Sequence, residues 1–371
     1  MKHRIRVFCT ASVLALGAVS AAAQILIGQT AAITGPVASS MNETIAGAQL
    51  VIDSVNAQGG IHGEQIEIVR MDDGFDVKRA EENARVLIED KKVVALFLSR
   101  GTPHTQAIIP WLDKNGVALI APSTGAMVLH KPVQKHIFNV RSTYQREAEK
   151  AVSHLHTVGI DRIAVVHASD SFGKDGLDGA TTGFVKAKLQ PVAVVPADRE
   201  KPDYAAIVPA LAKANPQAIL WIGSGNAVVD GVKALRASGS AAQVVTLSNN
   251  ASTGFIKQLG DASRGVIVTQ VFPSERAAGQ PMVKEASALA KAKGGAELSP
   301  AMLEGFAAGK VLVEALRRAG PKPTRPKIVA ALDGIRGFDL GGGLEVSYSA
   351  QDHSGIDFAD LSIISEGRFK R

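Results

Sequence analysis

The chain has 371 residues, of which 46% are hydrophobic and 5% aromatic, and its formal net charge is +6. This length allows two hydrophobic cores of ordinary size. Lysine and arginine are not clustered and aromatic residues are few, which argues against a nucleic-acid-binding surface.

The first 23 residues predict a secretory signal peptide. Three basic residues lie within the first six, an apolar run follows over 7–19, and alanines 21–23 form an Ala-x-Ala site before Gln24. The apolar run is short for a membrane anchor, so we expect cleavage and export to the periplasm. Cleavage lowers the net charge to +3 and removes Cys9, the only cysteine, so the mature chain has no disulfide and no thiolate metal site.

The mature chain opens with two strand–helix units. Residues 24–30 read as a strand, and the helix after it ends at Gly59-Gly60, where glycine takes the left-handed cap conformation readily. A second strand at 65–71 is followed by Asp72-Asp73 and another amphipathic helix. Strands that alternate with helices predict an α/β fold with a parallel sheet.

A third unit, residues 93–125, has two continuous apolar runs on either side of a helix pattern, as in strands buried on both faces. Thr102 and Pro103 mark the start of this helix, with threonine as the N-cap and proline as the first helical residue. Such a helix end offers free N–H groups, the positive end of a dipole and a hydroxyl, which together suit a carboxylate. The plainer alternative is that Thr102 only caps the helix.

Ser123, Thr124 and Gly125 follow the next strand of this unit. In a parallel sheet they lie at the same carboxyl edge as Thr102, which is where ligands bind in open α/β sheets. Arg100 and Gly101 stand just before the helix start and complete the candidate residues of this edge.

The second half repeats the pattern. Strands are predicted at 162–167, 192–195, 218–222, 244–247 and 266–271, with helices between them that include 204–214 and 227–238. These elements predict a second parallel sheet. We expect the chain to cross to this second part at Arg141-Ser142 and to return at Phe272-Pro273, and a hairpin-like segment ends it.

Several motifs together resemble one family. They are Ile33-Thr34-Gly35-Pro36, the segment 56–63 with its paired glycines, Asp72-Asp73 and the strand at 116–122. They resemble the periplasmic solute-binding proteins of branched-chain amino-acid ABC transporters, and the resemblance extends over nearly all of residues 24–371. It implies a two-lobe α/β fold, each lobe a parallel sheet flanked by helices, with three crossings between the lobes. Lobe 1 would be residues 24–142 plus 273–352, and lobe 2 residues 143–272 plus 353–371.

The resemblance also implies where a ligand would bind. In this family a hydroxyl at the start of the third helix holds the ligand carboxylate, and Thr102 occupies that position beside Gly101. The loop with Ser123, Thr124 and Gly125 would add backbone and hydroxyl contacts. From lobe 2, Phe172 would close over the ligand and Asn226 would add a polar contact.

Two departures from the family pattern affect the expected ligand and the stability. Where the family has an acidic partner for the ligand's ammonium group, this chain has neutral Asn250. A buried ammonium group without a carboxylate is costly, so an aromatic or aliphatic acid lacking an amine remains as good a candidate as an amino acid. Arg100 favours an anion, unless it faces solvent or joins the lobes. Phe75 and Gly101 stand where the family has a pair of cysteines.

No enzyme is indicated. Ser171-Phe172-Gly173-Lys174 matches Ser-x-x-Lys, but the partner motifs of that hydrolase pattern are missing. His154 and His156 are two residues apart and so lie on different faces of a helix, which is unsuitable for a metal site. We therefore expect no catalytic residue, no metal and no cofactor.

The expected function is that of a monomeric periplasmic binding protein that closes on a small carboxylate and presents it to an inner-membrane ABC permease. An exported ligand-sensing domain of a regulatory system would share the fold and is the alternative. The sequence leaves the ligand open.

Overall fold

The computed structural model describes residues 24–295 and 297–371. The strands, numbered in chain order, are β1 (Gln24–Ala31), β2 (Gln65–Asp72), β3 (Ala95–Phe97), β4 (Ala118–Ile120), β5 (Ile137–Phe138), β6 (Ile163–Ala168), β7 (Ala193–Ala197), β8 (Ala218–Ile222), β9 (Gln243–Thr246), β10 (Ile267–Gln270), β11 (Phe338–Asp339), β12 (Glu345–Val346), β13 (Asp360–Ser365) and β14 (Arg368–Lys370). The predicted signal peptide, residues 1–23, lies outside the described residues.

The helices cover the sheets and carry several of the candidate residues. They are α1 (Ala38–Ala57), α2 (Val77–Arg85), α3 (Thr102–Asn115), α4 (Tyr144–Thr157), α5 (Ser171–Ala187), α6 (Tyr204–Ala214), α7 (Gly225–Ala237), α8 (Thr253–Leu259), α9 (Pro281–Ala292), α10 (Pro300–Ala319) and α11 (Arg325–Asp333). None of these helices is long and apolar enough to cross a bilayer.

The first sheet has five parallel strands in the order β2-β1-β3-β4-β5. Side chains alternate along each strand and so point to both faces of the sheet, and helices cover both faces. In β1, Ile25 and Ile27 pack into one core, whereas Leu26 packs on the opposite core. The first core also contains apolar residues of α1, α9, α10 and α11, and the second contains residues of α2 and α3.

The second sheet has seven strands in the order β14-β13-β10-β9-β8-β6-β7. Strands β6 to β10 run parallel, as the sequence predicts. The C-terminal hairpin β13–β14 adds two antiparallel strands beside β10, so the sheet is mixed and not wholly parallel. A hairpin needs only a short turn to pair its strands, whereas a further parallel strand would need a crossover helix.

The chain passes between the two sheets at three places among the described residues: from β5 to α4, from β10 to α9, and from β12 to β13. Val140, Phe272 and Ile356 lie at these connections, and all three pack in the core around α1 and α10. The first and third connections are directly paired, because the Ile356 amide donates to the Val140 carbonyl at 2.9 Å. The two-lobe fold with three crossings is confirmed.

Helices α1 and α10 approach each other closely through glycine. A Cβ atom on Gly47 would overlap the Met302 carbonyl oxygen, and one on Gly305 would overlap the Thr44 carbonyl oxygen. Since the obstructing atoms are backbone, neither helix can yield by a side-chain rotation. Glycine at these two positions therefore sets the distance between the helices that build the first core.

We predict that Gly305→Ala destabilises the protein by about 2–3 kcal/mol, because overpacking a rigid contact outweighs the roughly 1 kcal/mol that alanine gains in helix propensity. Urea unfolding at equilibrium measures the change. Gly279→Ala is the matched control, since its added methyl group meets no atom within 4 Å. A Gly305→Ala variant as stable as the control would show that the helix contact is not constrained as described.

Candidate functional site

The carboxyl ends of β3 and β4 bring two hydroxyl groups together at the start of α3. Residues 100 and 123 form a parallel bridge just beyond the two strands. Next to it, the hydroxyls of Thr102 and Thr124 are hydrogen-bonded at 2.8 Å, and both residues are buried. The predicted juxtaposition of Thr102 with Ser123 and Thr124 is therefore present.

The helix start differs by one residue from the sequence-based expectation. Gly101 is the N-cap, with φ of 92°, and Thr102 is the first helical residue, so the Thr102 side chain makes no capping hydrogen bond. Thr102 as N-cap was wrong, because the positive φ needed before this helix is one that glycine adopts easily. The Thr102 hydroxyl is instead held by Thr124.

Gly101 also lies against an aromatic cluster. A Cβ atom on Gly101 would be 3.1 Å from the Phe75 ring, so the two positions at which the resemblance leads us to expect cysteines are adjacent. The Phe75 ring stacks on His104 with 4.4 Å between ring centroids. Both ring nitrogens of His104 are buried without a hydrogen-bond partner among the described residues.

Arg100 is buried and joins the two sheets. Its guanidinium donates to the Ser123 hydroxyl at 2.9 Å, to the Ser40 hydroxyl at 2.9 Å and to the Asn249 carbonyl at 2.7 Å. Burial lowers the pKa of Arg100 below its ordinary value. Of the roles expected from the sequence, the link between the lobes is observed, although through hydrogen bonds to neutral groups and not through a salt bridge. A role of Arg100 in binding an anion stays a prediction.

A carboxylate that the sequence reasoning missed lies in the same place. Glu304, on α10, is buried and accepts a hydrogen bond from the Ser123 hydroxyl at 2.6 Å. Its other oxygen is 3.9 Å from the Arg141 guanidinium. A signal was present in the sequence, because Glu304 is the one acidic residue within the apolar first half of α10.

Arg141 and Glu147 form a buried ion pair at the first connection between the sheets. Arg141 also donates to the Ser248 hydroxyl at 2.8 Å, and Glu147 accepts from the Ser248 amide at 2.8 Å. Burial opposes the charge on Arg141, but Glu147, Tyr144 and Glu304 together outweigh this effect and raise the pKa of Arg141. We refer to Arg100, Arg141, Glu147 and Glu304 as the buried charge network.

On the side of the second sheet, the candidate site is formed by aromatic residues. Phe172 and Tyr144 are both buried and meet edge to face at 4.8 Å between ring centroids, and the Arg141 guanidinium lies 4.5 Å over the Tyr144 ring. The Arg199 guanidinium is 5.2 Å from the Phe172 ring and 4.6 Å from the Phe75 ring, so it is stacked between the two sheets' aromatic residues. Arg199 is also paired with Asp170.

These contacts close into a ring around the start of α3. The Tyr144 amide donates to the Gly125 carbonyl at 2.8 Å, and Gly125 follows Thr124. A Cβ atom on Gly125 would lie 2.5 Å from the Ser142 carbonyl oxygen, so glycine permits this approach. From Gly125 the ring continues through Tyr144, Phe172, Arg199 and Phe75 back to Gly101. Phe172 is thus part of this ring, and its closing over a ligand stays a prediction.

The two predicted asparagines contact other groups. The Asn250 side chain makes three hydrogen bonds: its Oδ1 accepts from the Gly225 amide at 2.9 Å, and its Nδ2 donates to the Gly223 carbonyl and the Thr246 hydroxyl. Asn226 is exposed. Its backbone amide donates to the Pro36 carbonyl across the lobes at 3.2 Å, and its side-chain oxygen accepts from Gln258. The structure does not bring either side chain to the Thr102 hydroxyl, and their binding roles stay predictions.

The neighbouring residue, Asn249, has a side-chain oxygen that accepts no hydrogen bond from the described residues. Its Oδ1 is buried and has no partner among residues 24–295 and 297–371, while its carbonyl accepts from Arg100. Within the same residues, no group of three or more His, Cys, Asp or Glu side chains is arranged to hold a metal ion.

We predict that His104 makes the stability of the protein pH-dependent. Burial lowers the pKa of His104 to about 4 from the ordinary 6.5, and Arg199, Asp170 and Asp76 are the charges that act on it. The unfolded chain therefore binds a proton that the folded chain does not, and stability is lost as the pH falls from 6.5 towards 4. His104→Phe keeps a ring on Phe75 but cannot be protonated.

Urea unfolding of both proteins at pH 7 and pH 4.5 measures this effect. The variant should lose about 2–3 kcal/mol less stability over that interval than the original protein. Since the readout is the pH slope, a general change in packing does not affect it. Equal slopes would show that His104 is not neutral and buried in the folded state.

Comparison with known proteins gives one consistent result. The sequence model of the periplasmic binding protein family matches residues 24–361. The Leu/Ile/Val-binding protein of Escherichia coli is 25% identical over 260 residues, which cover 69% of this chain and 70% of that protein. Leu/Ile/Val-binding protein homolog 3 of Brucella melitensis is 25% identical over 326 residues, 85% of each chain.

Solved structures agree in fold. A substrate-binding periplasmic protein from Ralstonia solanacearum is 31% identical with a TM-score of 0.85, over 92% of this chain and 97% of that one. A branched-chain amino acid ABC transporter protein from Thermus thermophilus with bound valine has a TM-score of 0.82 at 19% identity, over 94% of each chain. With two lobes, three connections and a family match over nearly all the described residues, this chain belongs to the periplasmic binding proteins.

Proposed function

We propose that this chain is the extracytoplasmic solute-binding component of an ABC importer, which binds a small carboxylate-bearing ligand between its lobes and delivers it to an inner-membrane permease. The hydroxyl pair of Thr102 and Thr124 at the start of α3 is the observation that carries the proposal. The role requires export to the periplasm and a monomer, but no turnover and no cofactor.

The boundaries of the two lobes are part of this proposal. We place lobe 1 at residues 24–142 plus 273–352 and lobe 2 at 143–272 plus 353–371. In support, α9, α10 and α11 pack on the core of the first sheet, and β13 and β14 extend the second sheet. Closure would then be a hinge motion of one lobe against the other about the three connections.

The start of α3 suits a carboxylate for a physical reason. The first N–H groups of a helix have no partner within the helix, and they form the positive end of its dipole. Thr102 is the first helical residue of α3 and its hydroxyl is bonded to that of Thr124. The buried surroundings strengthen each hydrogen bond to a charged acceptor.

An amino acid is the first candidate ligand. The buried charge network has two guanidinium groups and two carboxylates, so its formal charges cancel. A zwitterion leaves that balance unchanged, whereas an anion adds a buried charge without a counter-ion. Glu304 would supply the carboxylate that position 250 lacks. The named relatives are the Leu/Ile/Val-binding protein of Escherichia coli and Leu/Ile/Val-binding protein homolog 3 of Brucella melitensis.

An acid without an amine is the second candidate, favoured by two observations. One oxygen of Glu304 is already bonded to Ser123, which weakens it as an ammonium acceptor. The Arg199 Nε atom is buried without a partner among the described residues, and this donor between Phe75 and Phe172 would suit an oxygen of an aromatic acid.

We predict that matched ligand pairs separate the two candidates. Leucine would be compared with 4-methylpentanoate, and phenylalanine with 3-phenylpropanoate, in a thermal-shift titration, because a ligand of the native state raises its midpoint. If the amino acid is bound, it should raise the midpoint where its amine-free partner does not. Stabilisation by the amine-free acids alone would assign the second candidate, and stabilisation by no carboxylate would contradict the proposal.

We predict that Glu304→Gln weakens binding of an amino acid about tenfold or more, because the ammonium group loses a charged acceptor. The amide keeps the size of the side chain and can still accept from Ser123. Calorimetry would measure both affinities. An unchanged affinity for the amino acid would remove Glu304 from the ammonium site.

We predict that Thr102→Val weakens binding by roughly 1–3 kcal/mol, the scale of leaving a charged acceptor with one hydrogen bond fewer. Thr102→Ser is the control, since it keeps the hydroxyl and should bind within about 0.5 kcal/mol of the original chain. If the valine variant binds as tightly as the serine variant, Thr102 does not contact the ligand.

A further inference from the structure

The N-terminal end of α1 contacts the second lobe at a place apart from the three connections. Helix α1 packs on the core of the first sheet, whereas α7 and α8 pack on a core of the second. The Glu43 carboxylate reaches across and accepts hydrogen bonds from the Thr253 amide at 3.0 Å and from the Gly254 amide at 2.8 Å. Because these two amides begin α8, one carboxylate of the first lobe holds the start of a helix of the second.

The start of α7 makes a second contact of the same kind. The Asn226 amide donates to the Pro36 carbonyl at 3.2 Å, and Pro36 stands just before α1. The loop that carries Pro36 is fixed within the first lobe, because Asp72 accepts from the Ile33 amide at 2.9 Å and from the Thr34 amide at 3.1 Å. In both contacts an oxygen of the first lobe accepts from N–H groups at a helix start, which have no partner within their own helix.

Glycine at both helix starts allows the lobes to approach this closely. A Cβ atom on Gly225 would overlap the Pro36 carbonyl oxygen, and one on Gly254 would overlap the Ser39 hydroxyl. At each position the three nearest atoms all belong to the first lobe. The φ of Gly225 is 51°, which itself favours glycine, but φ of Gly254 is not positive. Glycine is unfavourable inside a helix, so at 254 it is the approach of the other lobe that requires it.

We propose that these contacts form a latch that holds the lobes together before any ligand binds. The latch consists of Pro36, Ser39 and Glu43 in the first lobe and the starts of α7 and α8 in the second. A hinge motion about the three connections moves its two halves apart, since none of its residues lies on a connection.

The latch has a consequence for affinity, which rests on the proposed function. A ligand that binds only the closed form binds more tightly when more of the free protein is already closed. The latch therefore sets the ligand affinity in part, through contacts other than those to the ligand.

The test is small-angle X-ray scattering by the full mature chain, refolded from urea to remove any ligand carried through purification. Glu43→Ala removes the acceptor of both α8 amides and should lower the ratio of closed to open molecules about tenfold or more, which enlarges the radius of gyration. Glu81→Ala is the matched control, because it removes an exposed helix carboxylate whose hydrogen bond, from Trp111, lies within the first lobe. The control should scatter like the original chain.

Gly254→Leu tests the close approach itself. Its side chain would occupy the place of Ser39, and rotation of the serine hydroxyl does not relieve the overlap, since the Ser39 Cβ is also only 3.0 Å from the added Cβ. The variant should have a larger radius of gyration than the original chain. Gly279→Leu is the matched control, because a Cβ atom there meets no atom within 4 Å. All variants should keep the far-ultraviolet circular dichroism of the original chain, which separates opening of the lobes from unfolding.

Two results would overturn the latch. An unchanged radius of gyration in Gly254→Leu would mean that the lobes are already apart without ligand, or that opening leaves this contact intact. A larger radius in Gly254→Leu but not in Glu43→Ala would mean that the carboxylate does not hold the lobes together. The scattering experiment uses no ligand, so its failure would leave the proposed function intact.

Discussion

The ion pair between Arg141 and Glu147 is the interaction on which the geometry of the candidate site depends. Both side chains are buried at the first connection between the sheets, where the chain leaves one lobe and enters the other. Removing one partner of such a pair costs about 3–5 kcal/mol, because the other charge is then left unpaired away from water. Ser248 contacts both partners and ties the end of β9 to the same point.

Around this pair, the buried charges of the candidate site balance one another without a ligand. Arg100 reaches from the first sheet to the Asn249 carbonyl, and Glu304 is placed between Ser123 and Arg141. Such a site can accept a neutral zwitterion without a change in buried charge, and it offers hydroxyl and N–H donors at one end. Because these groups are buried, each of these contacts is stronger than in water.

Features set by nearby residues could be predicted from the sequence. The apolar runs before Arg100 and Ser123 predict buried parallel strands, and parallel strands end at one edge, so Thr102 and Thr124 could be expected to meet. The cap at Gly101 was missed by one residue because N-cap preference favours threonine, whereas the backbone here needs a positive φ.

Features that depend on distant packing could not be predicted in the same way. Glu304 lies 181 residues from its hydrogen-bond partner Ser123, and its position follows from the close approach of α10 to α1. Asn250 was interpreted from its place in the chain alone, but the turn after β9 directs its side chain to Gly223 and Thr246. The stacking of Arg199 between Phe75 and Phe172 likewise requires both lobes to be in place.

A crystal structure of the mature chain with the ligand selected by thermal shift tests the central claim most directly. The account predicts a carboxylate within hydrogen-bond distance of the Thr102 and Thr124 hydroxyls, at the start of α3, with Phe172 closed over the remainder of the ligand. A ligand bound elsewhere, or one whose carboxylate faces away from α3, would contradict it.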